Sequence, residues 1–356
     1  MNIKEILKES LVKKIIDRQK KNNPFDEEYA ELYQLPQEAD ETQNNSYYFS
    51  CHDMKGSSLL FRLGKRGGNM NEVWFAYKDC SGNIFVSTRQ FFSCNDNPAS
   101  VKCLETGKKW EFSFRGKLSK ASLDTNLSAI SEGQEVEAVF DGVFTAVAPV
   151  FEFSRHMDSA PLARALAREK WSRSFLSSLK ENHQVHYEQQ GFVDGTLLLD
   201  KKTQKLEFAA MRDHSYGKRD WAYMDRHIWL MALMENSDAL NVNMVRYPSV
   251  SDMQTGYLVA NGKTICVHEA TSMDNMECIG RVPHKFQYMV KLADNRSFNV
   301  LCEKELEFIF PFDNGIYTLF EGIGSFSIDG LKGRGILEFG FNSDSTRWTR
   351  REKGVK

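Results

Sequence analysis

The chain has 356 residues, more than one hydrophobic core ordinarily serves, because single cores stop growing at about 250–300 residues; two domains are expected. With 41% hydrophobic and 26% charged residues it is a folding sequence and not a disordered one. A formal net charge of -2 and a pI near 6.5 supply no general attraction for nucleic acid or for anionic membrane surfaces.

The first predicted element is a helix. Ile3, Ile6, Leu7, Leu11, Ile15 and Ile16 recur at helical spacing with Lys and Glu filling the other face, and Asn22-Asn23-Pro24 ends the run. Its apolar stripe is expected to dock on the body of the protein. The opening residues are too charged for a signal peptide and no stretch approaches about 20 apolar residues. A cytoplasmic protein without stable membrane insertion is therefore expected. Residues 36–46 are a polar linker.

From Tyr47 the pattern changes to short β-like runs punctuated by Gly, Asn and Asp, at 47–52, 58–66, 72–79, 83–92, 101–105, 109–118 and 136–153. Between Pro161 and Asn182 a connecting helix is predicted, with Leu162, Leu166, Trp171, Phe175, Leu176 and Leu179 near one face. A second β-rich half follows at 186–199, 204–216, 227–235, 239–247, 256–260, 263–269, 285–293, 296–303, 306–310, 316–320 and 323–341. Asn261-Gly262 and Asp294-Asn295 are hairpin turns by their chemistry. Glu303, Glu305 and Glu307 alternate as a solvated strand face does. The expected organisation is an N-terminal helix and linker over 1–46, a β domain over 47–155, a connecting helix over 156–185 and a second β domain over 186–356.

The 25 phenylalanines favour strands around large apolar interiors with room for an apolar ligand. The seven cysteines form no CxxC pair and have no histidine at metal-ligand spacing, so reduced thiols are expected, with neither a disulfide framework nor a zinc site.

One segment stands apart chemically. Arg212-Asp213-His214-Ser215-Tyr216-Gly217-Lys218-Arg219-Asp220-Trp221 interleaves charges and aromatics around a glycine, which is costly to bury unless the groups satisfy one another. Alternation places Arg212, His214 and Tyr216 on one strand face, and His186 and Glu188 of the preceding run on one face opposite Tyr187 and Gln189. A short connection near Lys201-Lys202-Thr203 makes these two strands an antiparallel pair. The polar groups then converge either as a reactive site or as a structural knot. In the first case Asp213 orients His214, Tyr216 serves an oxygen, and Trp221 and Tyr223 stack on a polyene or ring. In the second, Arg212 or Arg219 pairs with Asp213 or Asp220 and Trp221 plugs a barrel end. His227 and Trp229 share a face of the next strand and are candidates to reach the same interior, while Asn243 sits on an alternating strand beyond it.

The segments HYEQQGFVDG (186–195) and RDHSYGKRDW (212–221) resemble the lipocalin-like superfamily of AttH-type proteins and carotenoid 1,2-hydratases, over roughly residues 185–340. The first half, through GSSLLFRLGKRGGNMNEVWF (56–75) and KKWEFSFRGKL (108–118), is similar to the N-terminal module of animal proteins related to phosphoenolpyruvate synthases. The resemblance implies two tandem lipocalin-like antiparallel β barrels or sandwiches with a ligand cavity. It also implies proton handling by Asp213 and His214; where those relatives carry tryptophan two positions after the histidine, this chain has Tyr216.

The expected function is binding of a hydrophobic small molecule (a polyene, isoprenoid, sterol or fatty-acid derivative) and its acid/base hydration, isomerisation or cyclisation, with no cofactor and no metal. His186, Glu188, Trp221, Tyr223, His227, Trp229 and Asn243 are the candidate substrate contacts around the catalytic candidates Asp213, His214 and Tyr216. A non-catalytic carrier and an interaction module with a purely structural cluster are the other two classes open.

Overall fold

In a computed structural model the described residues are 3–173, 175, 184–221, 223–276 and 280–345. The chain is mainly antiparallel β and divides into two compact units. Helix α1 (Ile3–Asn22) opens the chain and short helix α2 (Glu27–Glu31) follows it.

One unit comprises Asp26–Glu152 and Gln184–Arg219. Its strands are β1 (Gln43–His52), β2 (Ser58–Arg66), β3 (Met70–Lys78), β4 (Ile84–Ser87), β5 (Phe91–Ser93), β6 (Ala99–Glu105), β7 (Lys109–Leu123), β8 (Ala129–Ala146), β9 (Phe151–Glu152), β10 (Gln184–Leu199) and β11 (Lys202–Lys218). Hydrogen bonding runs β11-β1-β2-β3-β4-β7-β8-β10, and β10 pairs with β11, so these strands close into a ring.

That closure moves a boundary. The strands at 184–218 were expected to open the second domain, yet β11 pairs with β1 from Gln43↔Lys218 to His52↔Ala209 and β10 pairs with β8. They complete the first barrel. Without them β1 and β8 would be edge strands with unpaired backbone groups, a liability that barrel closure removes.

The interior of this barrel is filled by rings. Tyr47, Phe49 and Cys51 point inward from β1, meeting Phe61, Phe75, Phe112, Phe140, Phe144 and Phe208. Phe49 stacks on Phe112 at 4.1 Å between centroids and Phe75 on Phe114 at 4.7 Å. In this barrel the phenylalanines pack against one another, where a phenylalanine-lined ligand cavity had been expected. Gly191 makes room for them: a Cβ there would stand 2.3 Å from the Thr145 carbonyl and 2.5 Å from the Phe144 ring.

The other unit comprises Met1–Phe25, Phe153–His183 and Asp220–Lys356. It holds α1, α3 (Phe153–His156) and α4 (Ser159–Ala167). Asp158 caps α4 by accepting from the Ala160 amide. The predicted connecting helix is thus realised over 159–167; Trp171 lies past its end, donating its indole N–H to the Leu166 carbonyl at 3.0 Å. Leu176, Leu179 and the rest of that prediction up to Asn182 lie outside the described residues, as does Cys278. The six described cysteines are free.

The strands of this unit are β12 (Arg226–Met234), β13 (Ala239–Tyr247), β14 (Val250–Ala260), β15 (Lys263–Ala270), β16 (Lys285–Leu292), β17 (Ser297–Phe312), β18 (Tyr317–Ile328) and β19 (Leu331–Asn342), which form a closed barrel in sequence order. Asn261 and Gly262 both have positive φ, at 52° and 71°, and turn β14 into β15 as their chemistry predicts. Alternate residues Ile228, Leu230 and Ala232 face the core with Leu240, Val242 and Met244. The glutamate alternation on β17 does not stay solvated: register shifts between Lys304 and Leu306, and Glu307 is buried with Lys304 Nζ at 3.0 Å and Arg281 Nε at 2.6 Å.

Of the apolar stripe on α1, Ile16 is buried, joined by Val12, and both pack on α4, while Ile3, Ile6, Leu7, Leu11 and Ile15 are exposed. The docking expected for the whole stripe is made by its Val12–Ile16 edge alone. Among the described residues no helix is long and apolar enough to cross a membrane.

Candidate functional site

The two signature segments do form one strand pair, β10 against β11, from Gln184↔Gly217 to Leu199↔Lys202. Each strand sends alternate side chains into the barrel and out of it. The result is two polar constellations back to back, one per face.

The inward constellation is sealed. Arg212, fully buried, ion-pairs with Glu31 of α2 at 2.8 Å and donates to Gln189 Oε1 at 2.7 Å. Glu31 also accepts from the Trp110 indole (2.7 Å), the Tyr187 hydroxyl (2.8 Å) and the Gly107 amide (3.1 Å). Gln189 in turn donates to the carbonyls of Gly107 and Ala148. His214 hydrogen bonds through Nδ1 to Tyr187 and through Nε2 to Asn45 Oδ1 at 2.7 Å, and its ring stacks on Tyr47 at 4.2 Å. The guanidinium of Arg212 also lies 4.7 Å from the Trp110 ring centroid.

Burial, with Arg212, Lys65 and His186 adding to it, holds the His214 pKa well below the usual histidine value, so the ring is neutral. Tyr216, also inward, stacks on Tyr33 at 4.0 Å, and burial pushes its hydroxyl up to about 12. The imidazole is buried with both nitrogens engaged inside the protein. Of the residues that complete this knot, Tyr187 and Gln189 lie in the HYEQ segment already singled out, whereas Glu31, Asn45 and Trp110 carry no local signal for it; Glu31 reaches Tyr187 across 156 positions.

The outward constellation is different. Asp213 and His214 are neighbours in sequence and point to opposite faces, so the expected Asp213–His214 pair is not formed. Asp213 pairs instead with His186 Nε2, and Glu188 Oε1 stands 3.6 Å from the same nitrogen. The His186 side chain is 32% exposed while Glu188 is fully buried. Burial works to lower the His186 pKa, but the Asp213 carboxylate and then Glu188 outweigh it and raise it to about 9, with Arg219 opposing weakly. His186 is therefore an imidazolium at neutral pH.

The three donor atoms lie within 4.8 Å of one another, near enough for a divalent cation, and His186 Nε2 hydrogen bonds with Asp213 Oδ2. From the Glu188↔Asp213 pair, register extends this face across three more strands: Asp213↔Tyr48, Tyr48↔Arg62 and Arg62↔Trp74. An acid pair thus continues into an aromatic and cationic row.

The remaining candidates fall in the other unit. His227 and Trp229 do not reach a barrel interior: Ile228 and Leu230 do, and their neighbours face outward. His227 is held by the Tyr317 hydroxyl and by Glu338 Oε1. Trp229 pairs across the sheet with Glu338 and with Asn243, which likewise faces out between Val242 and Met244. Trp221 stacks on Phe312 at 4.6 Å and on Tyr317 at 5.3 Å. Tyr223 stacks on Tyr247 and meets Ser249 Oγ at 3.2 Å. On the first barrel a cleft of about 660 Å³ is lined by Arg89, Asn97, Arg115, Lys117 and Glu135 together with Phe92 and Phe114.

The chain's fold has known counterparts. A Nitrosomonas europaea protein described as an AttH aligns with a TM-score of 0.53 at 11% identity, over 89% of this chain and 96% of its own. The crystal structure of CghA aligns with a TM-score of 0.47 at 10% identity, over 85% of this chain and 89% of its own. The AttH likeness shows a shared fold, that of tandem lipocalin-like β barrels. No curated protein matches the chain in sequence. A domain of unknown function, DUF7064, matches residues 27–343, from α2 to the end of the second barrel, and the chain belongs to that family.

Proposed function

We propose that the protein binds an apolar small molecule and acts on it by acid/base chemistry, through hydration, isomerisation or cyclisation, at the outward face of β10 and β11. His186 is the proton donor, Asp213 holds its ring, and Glu188 sustains its charge from behind. The observation that carries this reading is an imidazolium that is both partly exposed and held protonated by two carboxylates. Tyr48 and Trp74 lie along the same row as its buried aromatic part, at 7% and 6% exposure, which leaves the partly exposed edge of His186 as the point of access. His214 and Tyr216 belong to the frame.

The test compares the full chain with His186→Gln on an extract of polyenes, isoprenoids, sterols and fatty acids, with retained compounds read by native mass spectrometry and conversion by liquid chromatography. The wild-type chain is expected to retain and change one compound. His186→Gln should retain the same compound and lose at least about 100-fold in conversion, the usual worth of a general acid. Equal conversion by the variant would remove His186 from the chemistry. Retention without conversion by the wild type would make the protein a carrier.

A further inference from the structure

Helix α1 presents to solvent a face that a self-contained fold has no use for. Its buried side is narrow: Val12 and Ile16 meet Ala163, Ala165 and Leu166 of α4 and Val250, Lys8 donates to the Glu169 carbonyl at 2.9 Å, and Lys20 donates to the Met157 carbonyl. On the other side Ile3, Leu7 and Leu11 are 77%, 66% and 52% exposed, with Ile6 and Ile15 close behind. Steps of seven carry the same face from Leu7 to Lys14 and Lys21, and from Lys4 through Leu11 to Arg18, all of them exposed. Apolar side chains dominate the first half of the face, with Lys4 among them, and cations the second half, with Ile15 among them.

Charge decides what can cover it. The helix holds seven lysines and arginines against Glu5, Glu9 and Asp17, a local charge of +4 in a chain whose net charge is -2. A second copy of the helix would bring like charge against like charge. A neutral apolar partner would leave Lys14, Arg18 and Lys21 without counterions. Apolar side chains with cations on one helical face match a surface where acyl chains lie just beneath phosphates. We propose that α1 docks the protein on an anionic phospholipid surface, lying in the interface with Leu7, Leu11 and Ile15 entering the acyl boundary and Lys14, Arg18 and Lys21 meeting lipid phosphates. The helix does not span; it rests on the surface. This reading is independent of the chemistry at His186.

The experiment is co-sedimentation of the full chain with vesicles of phosphatidylcholine containing about one third phosphatidylserine, against vesicles of phosphatidylcholine alone. Binding is expected to the first and to be at least about tenfold weaker to the second, and weaker again in high salt, which screens exposed charge. Leu7→Ser with Leu11→Ser, and separately Lys14→Glu with Arg18→Glu, should each reduce binding by about tenfold or more. All four side chains are exposed, so the thermal transition should be unchanged and serves as the control for folding. Failure of the wild-type chain to sediment with the anionic vesicles would overturn the proposal. So would loss by charge reversal alone with the serine variant binding normally, which would point to an acidic macromolecule held by charge.

Discussion

Two histidines on adjacent, paired strands have opposite fates because side chains alternate. His214 points inward among Tyr47, Tyr187, Asn45 and Trp110, loses its water and stays neutral. His186 points outward, keeps a partly exposed edge and gains two carboxylates, so it keeps its proton to about pH 9. Its positive charge therefore depends on Asp213 more than on any other single group. Replacing Asp213 with Asn should lower the pKa of His186 by roughly 1–3 units, the usual effect of removing an opposite charge at hydrogen-bond distance. An NMR pH titration of the His186 ring in the full chain measures it directly; an unmoved midpoint would mean that Asp213 is not what holds the proton. The sequence made Asp213 and His214 look like partners because they are adjacent, whereas strand geometry makes adjacent residues the pair least able to meet. His186 was legible as a contact and not as the partner of Asp213, which lies 27 positions away.

At the scale of elements, most strands were visible in the alternation and turn chemistry, including the antiparallel pairing of the two signature segments. What alternation could not show is where it breaks. The bulge between Lys304 and Leu306 turns Glu307 into the barrel wall's buried ion-pair partner, and nothing in the local pattern announces a one-residue shift of register. The glycine that ends HYEQQG has a packing reason. At Gly191 a methyl group would collide with the Thr145 carbonyl, which is backbone of the paired strand, as well as with the Phe144 ring. At Gly142 it would meet the Phe140 and Phe112 rings, at 2.4 Å for the nearest atom, and rings can shift. Gly191→Ala should therefore cost about 3 kcal/mol or more and Gly142→Ala about 1–2 kcal/mol, as overpacking against backbone and against side chains does. Urea unfolding compares the two; the reverse order would mean that the strands yield more easily than the rings.

For the molecule as a whole, the buried ionisable groups set how stability follows pH. The unfolded chain protonates His214 near its ordinary value of 6.5 while the folded chain does not, so stability falls as pH drops below about 6.5. Glu72 adds to this: burial opposes its charge, but Arg62 and Arg66 keep its pKa below the ordinary 4.5, so its contribution, present above that value, is lost further into acid. His186 acts in the other direction, contributing fully below 6.5 and losing its contribution as pH rises through about 9. Urea midpoints across the pH range should peak near about pH 6.5 and fall more steeply towards acid. A midpoint still rising at about pH 5 would contradict a neutral buried His214. The sequence by itself determined a two-part, mainly β chain with its polar signature on one antiparallel strand pair, because hydrophobic period and turn residues are local properties of the chain. Only the tertiary structure decided that this pair closes the first barrel, that Glu31 from a five-residue helix completes the inward knot, and that His186 carries the exposed charge. Those outcomes depend on which edges need partners and which side chains lose water, and both are set by residues far apart along the chain.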